Sequence, residues 1–453
     1  MALLTTPSWT LSLTLFVLAF GTNLRAQADS PDRDTSQCDT SQCDTFETHV
    51  RGGIPNLLQK IKAGGGKELR VAYLGGSITA APGWRIKSLE WLQSRYPEVK
   101  WSEIYAAIGG TGSDLGVYRV QQDALRHKPD LLFVEFAVND GSADPVKIQK
   151  SMEGIVRQAW TSNPEMDILF VYTLSEPYLA ELQAGKCSRS VTAMEEVADH
   201  YGIPSIHLGI EVAKREKEGT LIFHGDAPAK GTEPAPGSPM LFSTDGVHPL
   251  PETGHVLYVE AIARSWAEFE KSPPATDKKH TLSEPLRADH WAAAKLIPIT
   301  AKMLKGDWME VDPAAKGEEL GKKFERFFPT MWRTATPGAS LTFQFRGTEV
   351  GFFDVVGPDG GQLQVSIDGG EPKIVPRFDA YCVYPRLSKF QVGTDLDPES
   401  LHTVTINLDA ASPDKREKLF EKNRPDFDRH PERYAENRWN VGYIMLLGEP
   451  AGE

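Results

Sequence analysis

The stretch Tyr73-Leu-Gly-Gly-Ser-Ile-Thr-Ala80 lies where an apolar run, Leu69–Leu74, breaks into two glycines and a serine. Strand–Gly–Gly–Ser–helix is an ordinary way to turn a parallel α/β unit. Glycine permits the turn, and serine caps free N–H groups of the helix that follows. Taken alone, Ser77 reads as such a cap. Its company along the chain decides whether it is also a nucleophile.

Further apolar runs follow at Val99–Ala106, Leu131–Phe136, Ile168–Tyr172 and Ser205–Leu208. Helical patterns separate or follow them at Trp84–Arg95, Leu115–Arg126, Val146–Trp160, Ser190–Tyr201 and Thr253–Phe269. Continuous apolar strands alternating with helices predict a parallel sheet covered on both faces. Ligands of such sheets bind outside the carboxyl ends of the strands. A polar, Pro-rich break at Lys271–Lys279 ends this pattern. Beyond it, Ser340–Phe345, Gly361–Ile367 and His402–Leu408 alternate apolar and polar residues, with turn signals at Gly357–Gly361 and Asp368–Gly370. These predict an antiparallel β-sandwich. The expected organisation is an α/β domain over 48–272, a linker over 273–285 and a jelly-roll-like β-sandwich over 286–450.

The chain of 453 residues is long enough for two domains, in keeping with that division. Its net charge of −13 argues against a nucleic-acid partner, which needs a basic face. The run Leu11–Phe20 is too short to span a bilayer and precedes Ala26-Gln-Ala28. No Lys or Arg stands ahead of it, but its length fits a cleaved signal over 1–28 better than an anchor. The expected location is therefore secreted or periplasmic, with no membrane span in the mature chain. Residues 29–47 hold a tandem repeat, Thr35-Ser-Gln-Cys-Asp39 and Thr40-Ser-Gln-Cys-Asp44, and read as a flexible leader. The four cysteines, Cys38, Cys43, Cys187 and Cys382, allow three pairings, among which sequence does not choose. Their spacing does not suit zinc, and no metal or cofactor is expected.

Two glycine-rich stretches fail tests for other chemistry. Gly64-Gly-Gly-Lys67 lacks the upstream Gly of a phosphate loop, and Glu68 follows its Lys. Gly110-Thr-Gly112 begins like a dinucleotide fingerprint, but its third glycine falls one place late, at Gly116. The nucleophile elbow G-x-S-x-G fails as well, because residue 79 is Thr.

The ends of the apolar runs share another pattern. They carry Gly75-Gly-Ser-Ile-Thr79, then Gly109-Gly-Thr-Gly112, then Ala137-Val-Asn-Asp140 and, near the end of the α/β region, Asp245-Gly-Val-His248. Over residues 68–270 this sequence resembles the SGNH superfamily, also called GDSL-type lipases and esterases. Four blocks name that family, and each has a counterpart here in order. The resemblance implies a three-layer flavodoxin-like sheet and makes Ser77 the nucleophile, His248 the base and Asp245 its orienter. It implies an oxyanion hole built from the Ser77 N–H, the Gly110 N–H and the Asn139 side chain. Gly109 and Gly112 lie near enough to Gly110 to be alternatives. Ala137 stands where the family has Gly.

The residue types suit the chemistry. A serine hydroxyl is a poor nucleophile without an adjacent base. Histidine, with an ordinary pKa near ~6.5, can be that base, and Asp fixes its tautomer. Among the neighbours, His255 reads as a packing or capping residue, and Asp140 as a brace for the Asn139 turn. Glu135 and Glu176 read as solvated strand-end carboxylates. Trp84 and Arg85 are candidates for a pocket wall, and Gly225–Pro239 for a lid or a plain loop.

By analogy with the family, the expected function is a secreted carboxylic-ester hydrolase removing acetyl groups from a poly- or oligosaccharide. Tyr381 and Tyr384 in the β-domain are candidates for stacking on sugar. The alternatives are a lipase, lysophospholipase or thioesterase with a longer acyl chain, and a non-catalytic glycan-binding protein.

Overall fold

A computed structural model describes residues 46–64, 66–227, 237–271 and 279–451. The signal segment, most of the leader with Cys38 and Cys43, residues 228–236 of the Gly225–Pro239 stretch and the first part of the linker lie outside the described residues. The chain divides into two compact units. One takes in the described parts of 1–112, 129–148 and 165–278, and the other those of 113–128, 149–164 and 279–453.

The first unit is built on six strands: β1 (Thr48–His49), β2 (Glu68–Gly75), β3 (Lys100–Ala107), β4 (Leu131–Glu135), β5 (Asp167–Tyr172) and β6 (Ser205–His207). Their order is β1-β6-β5-β4-β2-β3. Strands β2 to β6 are parallel, and only β1 runs against its neighbour. Read from β2, the parallel strands follow the flavodoxin-like order 2-1-3-4-5, and β2 and β4 flank the point where that order reverses. Strands β4 and β5 are buried at every position, which explains why they read as unbroken apolar runs.

The helices in chain order are α1 (Pro55–Ala63), α2 (Ser77–Ala80), α3 (Trp84–Arg95), α4 (Ser113–Asp123), α5 (Pro145–Ser162), α6 (Glu176–Gln183), α7 (Arg189–Tyr201), α8 (Ile210–Lys217) and α9 (Gly254–Phe269). Helix α4 falls in the second unit, and α5 is shared between the two. Helix α7 has the expected ends: Ser188 Oγ accepts the Val191 N–H at 3.4 Å, and Gly202 closes it at φ 66°. Helices α1, α6 and α8, absent from the sequence reading, have eight or nine residues, too few turns for a clear apolar period. A short parallel pair, β7 (Leu221–His224) and β8 (Met240–Ser243), leads into the Asp245–His248 block. Beneath the Ser77 turn, Tyr73 stacks on Phe133 at 5.1 Å, and Trp84 sets its ring edge against both. Trp84 is thus core rather than pocket wall.

The second unit carries ten strands: β9 (Ala294–Pro298), β10 (Leu304–Lys305), β11 (Met309–Glu310), β12 (Trp332–Thr334), β13 (Ser340–Val356), β14 (Gln362–Ile367), β15 (Lys373–Pro376), β16 (Arg386–Gly393), β17 (His402–Leu408) and β18 (Trp439–Pro450). Every pairing among them is antiparallel. Strand β13 organises the unit. Its first half pairs with β17 and alternates buried and exposed residues; its second half pairs with β16 and is buried throughout. That change explains why the sequence marks only Ser340–Phe345 as a strand: alternation stops where both faces become covered. The buried Asp354 carboxylate takes two hydrogen bonds from Arg377, at 2.6 and 2.7 Å, and one from Trp439 Nε1.

Candidate active site

Ser77 is the first residue of the single-turn helix α2. The N-cap is Gly76, in extended conformation, and no side chain caps this end. The simple reading of Ser77 as a cap is therefore replaced, because its hydroxyl turns elsewhere. Ser77 Oγ lies 2.9 Å from His248 Nε2, and His248 Nδ1 lies 2.7 Å from Asp245 Oδ2. The Asp245 carboxylate also accepts the backbone N–H groups of Val247 and His248, at 2.9 and 2.8 Å, and the Ser243 hydroxyl at 2.9 Å.

Burial alone would push the Asp245 carboxyl up. The His248 ring and the backbone N–H groups of His248 and Val247 outweigh that and hold it well below the usual carboxylate range. An ionised carboxylate only accepts, so Nδ1 must carry the ring proton. In the neutral imidazole, Nε2 is then the acceptor, facing the Ser77 hydroxyl. The Asp245 side chain is 4% exposed and that of His248 is 39%. The acid is shielded, while the working edge of the ring stays accessible.

Asn139 follows β4 and reaches the same turn. A Cβ on Gly76 would collide with Asn139 Oδ1, so only glycine lets the amide approach Ser77 this closely. Gly75 is hemmed in likewise, with the Thr79 hydroxyl 2.6 Å and the Glu135 carbonyl oxygen 2.9 Å from where its Cβ would stand. Asn139 Oδ1 is buried without a hydrogen-bond partner, which leaves Nδ2 as the end of the amide able to donate. Ala137, in place of the family's glycine, is buried, and its carbonyl accepts the Ser190 hydroxyl at 2.7 Å. On the glycine loop, a Cβ on Gly109 would stand 3.7 Å from Ser77 Cβ; Gly110 takes φ 72° and has open space beside it. The structure thus gathers Ser77, His248, Asp245 and Asn139 with the Gly109–Gly110 segment at the carboxyl ends of β2, β3 and β4.

Glu135 corrects the sequence reading. It is buried, not solvated, and is set opposite Gly75 in the β2–β4 register. Its oxygens accept the hydroxyls of Thr79 and Thr173, each at 2.7 Å. A signal for this was present: an acid inside the apolar run Leu131–Phe136 is costly unless donors satisfy it. Glu176 is half exposed and does meet expectation; its carboxylate pairs with His224 Nδ1 at 2.9 Å, and its N–H donates to the Gly246 carbonyl. His255 packs as expected. Its Nδ1 accepts the Trp84 N–H at 3.0 Å, and burial lowers it to about 4, so the ring is neutral. Among the described residues no cluster of His, Cys, Asp and Glu could hold a metal ion. No helix among them is long and apolar enough to cross a membrane.

Residues 73–253 match the GDSL-like lipase/acylhydrolase family, a span that contains every residue of this site. That stretch is a GDSL-like acylhydrolase region, and the protein is a carboxylic-ester hydrolase. In fold the chain is similar to a two-domain esterase (CEX) active on acetylated mannans. The TM-score is 0.67 at 17% identity, covering 91% of this chain and 100% of that one. The same esterase co-crystallised with mannopentaose gives a TM-score of 0.64 at 18% identity, covering 88% and 95%. No curated protein matches the chain in sequence.

Proposed function

We propose that the protein is an exported serine esterase that removes acetyl groups from a carbohydrate through an acyl-enzyme on Ser77. The observation that carries this reading is the unbroken relay Ser77 Oγ–His248–Asp245, with contacts of 2.9 and 2.7 Å. His248 Nε2 takes the hydroxyl proton as Oγ attacks the acyl carbon. The oxyanion that forms meets the Ser77 N–H, the Gly110 N–H and Asn139 Nδ2. His248 then returns the proton to the departing sugar oxygen. Water, deprotonated by the same ring, releases acetate and restores Ser77.

The carbohydrate and the acetyl group are supported by the likeness in fold, over most of the chain, to an esterase active on acetylated mannans. Export is supported by the signal-like first 28 residues and by the disulfide at Cys187, a bond at home in oxidising compartments. The test offers acetylated mannooligosaccharides beside short- and long-chain p-nitrophenyl esters. The expected result is acetate release and short-chain preference, both lost in Ser77→Ala. Preference for long acyl chains would replace this reading with a lipase or thioesterase.

A further inference from the structure

Helix α2 has four residues, one turn, and such a helix has no stability of its own. Something must hold it if Ser77 is to keep a fixed place. Its carboxyl end is held by Arg85 Nε, which donates to the Thr79 carbonyl at 3.0 Å, and by the Tyr105 hydroxyl, which donates to the Ala80 carbonyl at 3.0 Å. Arg85 is itself buried, paired with Glu103 and laid over the Tyr105 ring. On the other side stands Glu135. Its carboxyl oxygens accept the Thr79 hydroxyl from within α2 and the Thr173 hydroxyl from the segment after β5, each at 2.7 Å. Thr79 lies two residues past Ser77 in the same turn.

We propose that Glu135 is a positioning residue for the nucleophile: its buried carboxyl group joins Thr79, two residues past Ser77, to Thr173 after β5, and so holds the single turn that carries Ser77. This rests on the reading of Ser77 and His248 as nucleophile and base. Burial pushes the Glu135 carboxyl up, and the two hydroxyls act against that rise.

Glu135→Leu keeps the bulk and removes both acceptors. With p-nitrophenyl acetate, the expected result is kcat lower by about tenfold or more with KM within about twofold, the signature of lost alignment rather than lost binding. Glu135→Gln, whose amide can still bond both hydroxyls, should restore most of that kcat. A role in folding alone would lower the melting temperature and leave kcat in place. Thr79→Val removes one tether and should also lower kcat with KM little changed; it carries the test if Glu135→Leu does not fold. A folded Glu135→Leu with kcat within twofold of wild type overturns the proposal, as does an unchanged kcat in Thr79→Val. Ser77→Ala run in parallel separates the two claims: retained turnover there overturns the reading of the site itself, whatever Glu135 does.

Discussion

Each unit of the molecule holds a histidine whose Nδ1 lies against an aspartate. In the α/β unit, His248 meets Asp245 at 2.7 Å; in the β unit, His402 meets Asp368 at 2.8 Å. The pairs differ at the other nitrogen. His248 Nε2 faces the Ser77 hydroxyl at 2.9 Å, whereas His402 Nε2 faces the Asp397 backbone carbonyl at 2.8 Å. A carbonyl only accepts, so His402 must donate from both nitrogens and holds its proton. The Asp368 carboxylate accordingly pushes it up, against the opposing effect of burial, with the Asp397 carbonyl adding to the rise. A hydroxyl can give up its proton, so His248 can take one. The same acid–imidazole pair is held as a cation in one unit and, in the function proposed above, acts as a base in the other; the third partner makes the difference.

The comparison breaks first at Ser77. Ser77→Ala removes the one partner that makes His248 a base, and kcat for a short-chain aryl ester should fall by about 10⁴-fold or more, with the melting temperature unchanged. Asp245→Asn tests the other nitrogen. An amide can no longer hold the Nδ1–H tautomer, and a loss on the order of 10³–10⁴ in kcat is expected. Asn139→Ala leaves the relay intact and removes one oxyanion donor. The expected loss is ~10²–10³ in kcat, and an unchanged kcat would take Asn139 out of the oxyanion hole.

His402→Asn gives the smallest effect and sharpens the contrast. Steady-state kinetics should not change. The stability difference should follow pH in a definite direction: because the folded state raises the His402 pKa, its contribution is present below the unfolded value near ~6.5 and is lost as pH rises through the folded value. The gap in melting temperature between wild type and His402→Asn should be on the order of a degree near pH 6 and shrink as pH rises, as suits a pair near the surface. A gap that widens with pH would contradict the assignment of His402 as a held cation.

Much of this was legible in the sequence, for a physical reason. Strands buried on both faces must be apolar throughout, so β4 and β5 announce themselves, and the residues just past the ends of such strands mark where a site can form. Helix α3 matches its expected span Trp84–Arg95, and β17 its span His402–Leu408. What stayed hidden depends on contacts far apart in the chain. Nothing local in Glu135 says that Thr79 and Thr173 will reach it, 56 and 38 residues away. The third partner of each aspartate–histidine pair is hidden in the same way: only the fold brings the Ser77 hydroxyl to His248 and the Asp397 carbonyl to His402.

In the proposed mechanism Ser77, and no other hydroxyl, carries the acyl group. A fluorophosphonate that alkyl-phosphonylates activated serines, followed by peptide mass spectrometry, tests it most directly. The expected result is one adduct per chain, on Ser77, absent in Ser77→Ala and strongly slowed in Asp245→Asn. An adduct on another residue, or an active enzyme that takes up no label, would contradict it.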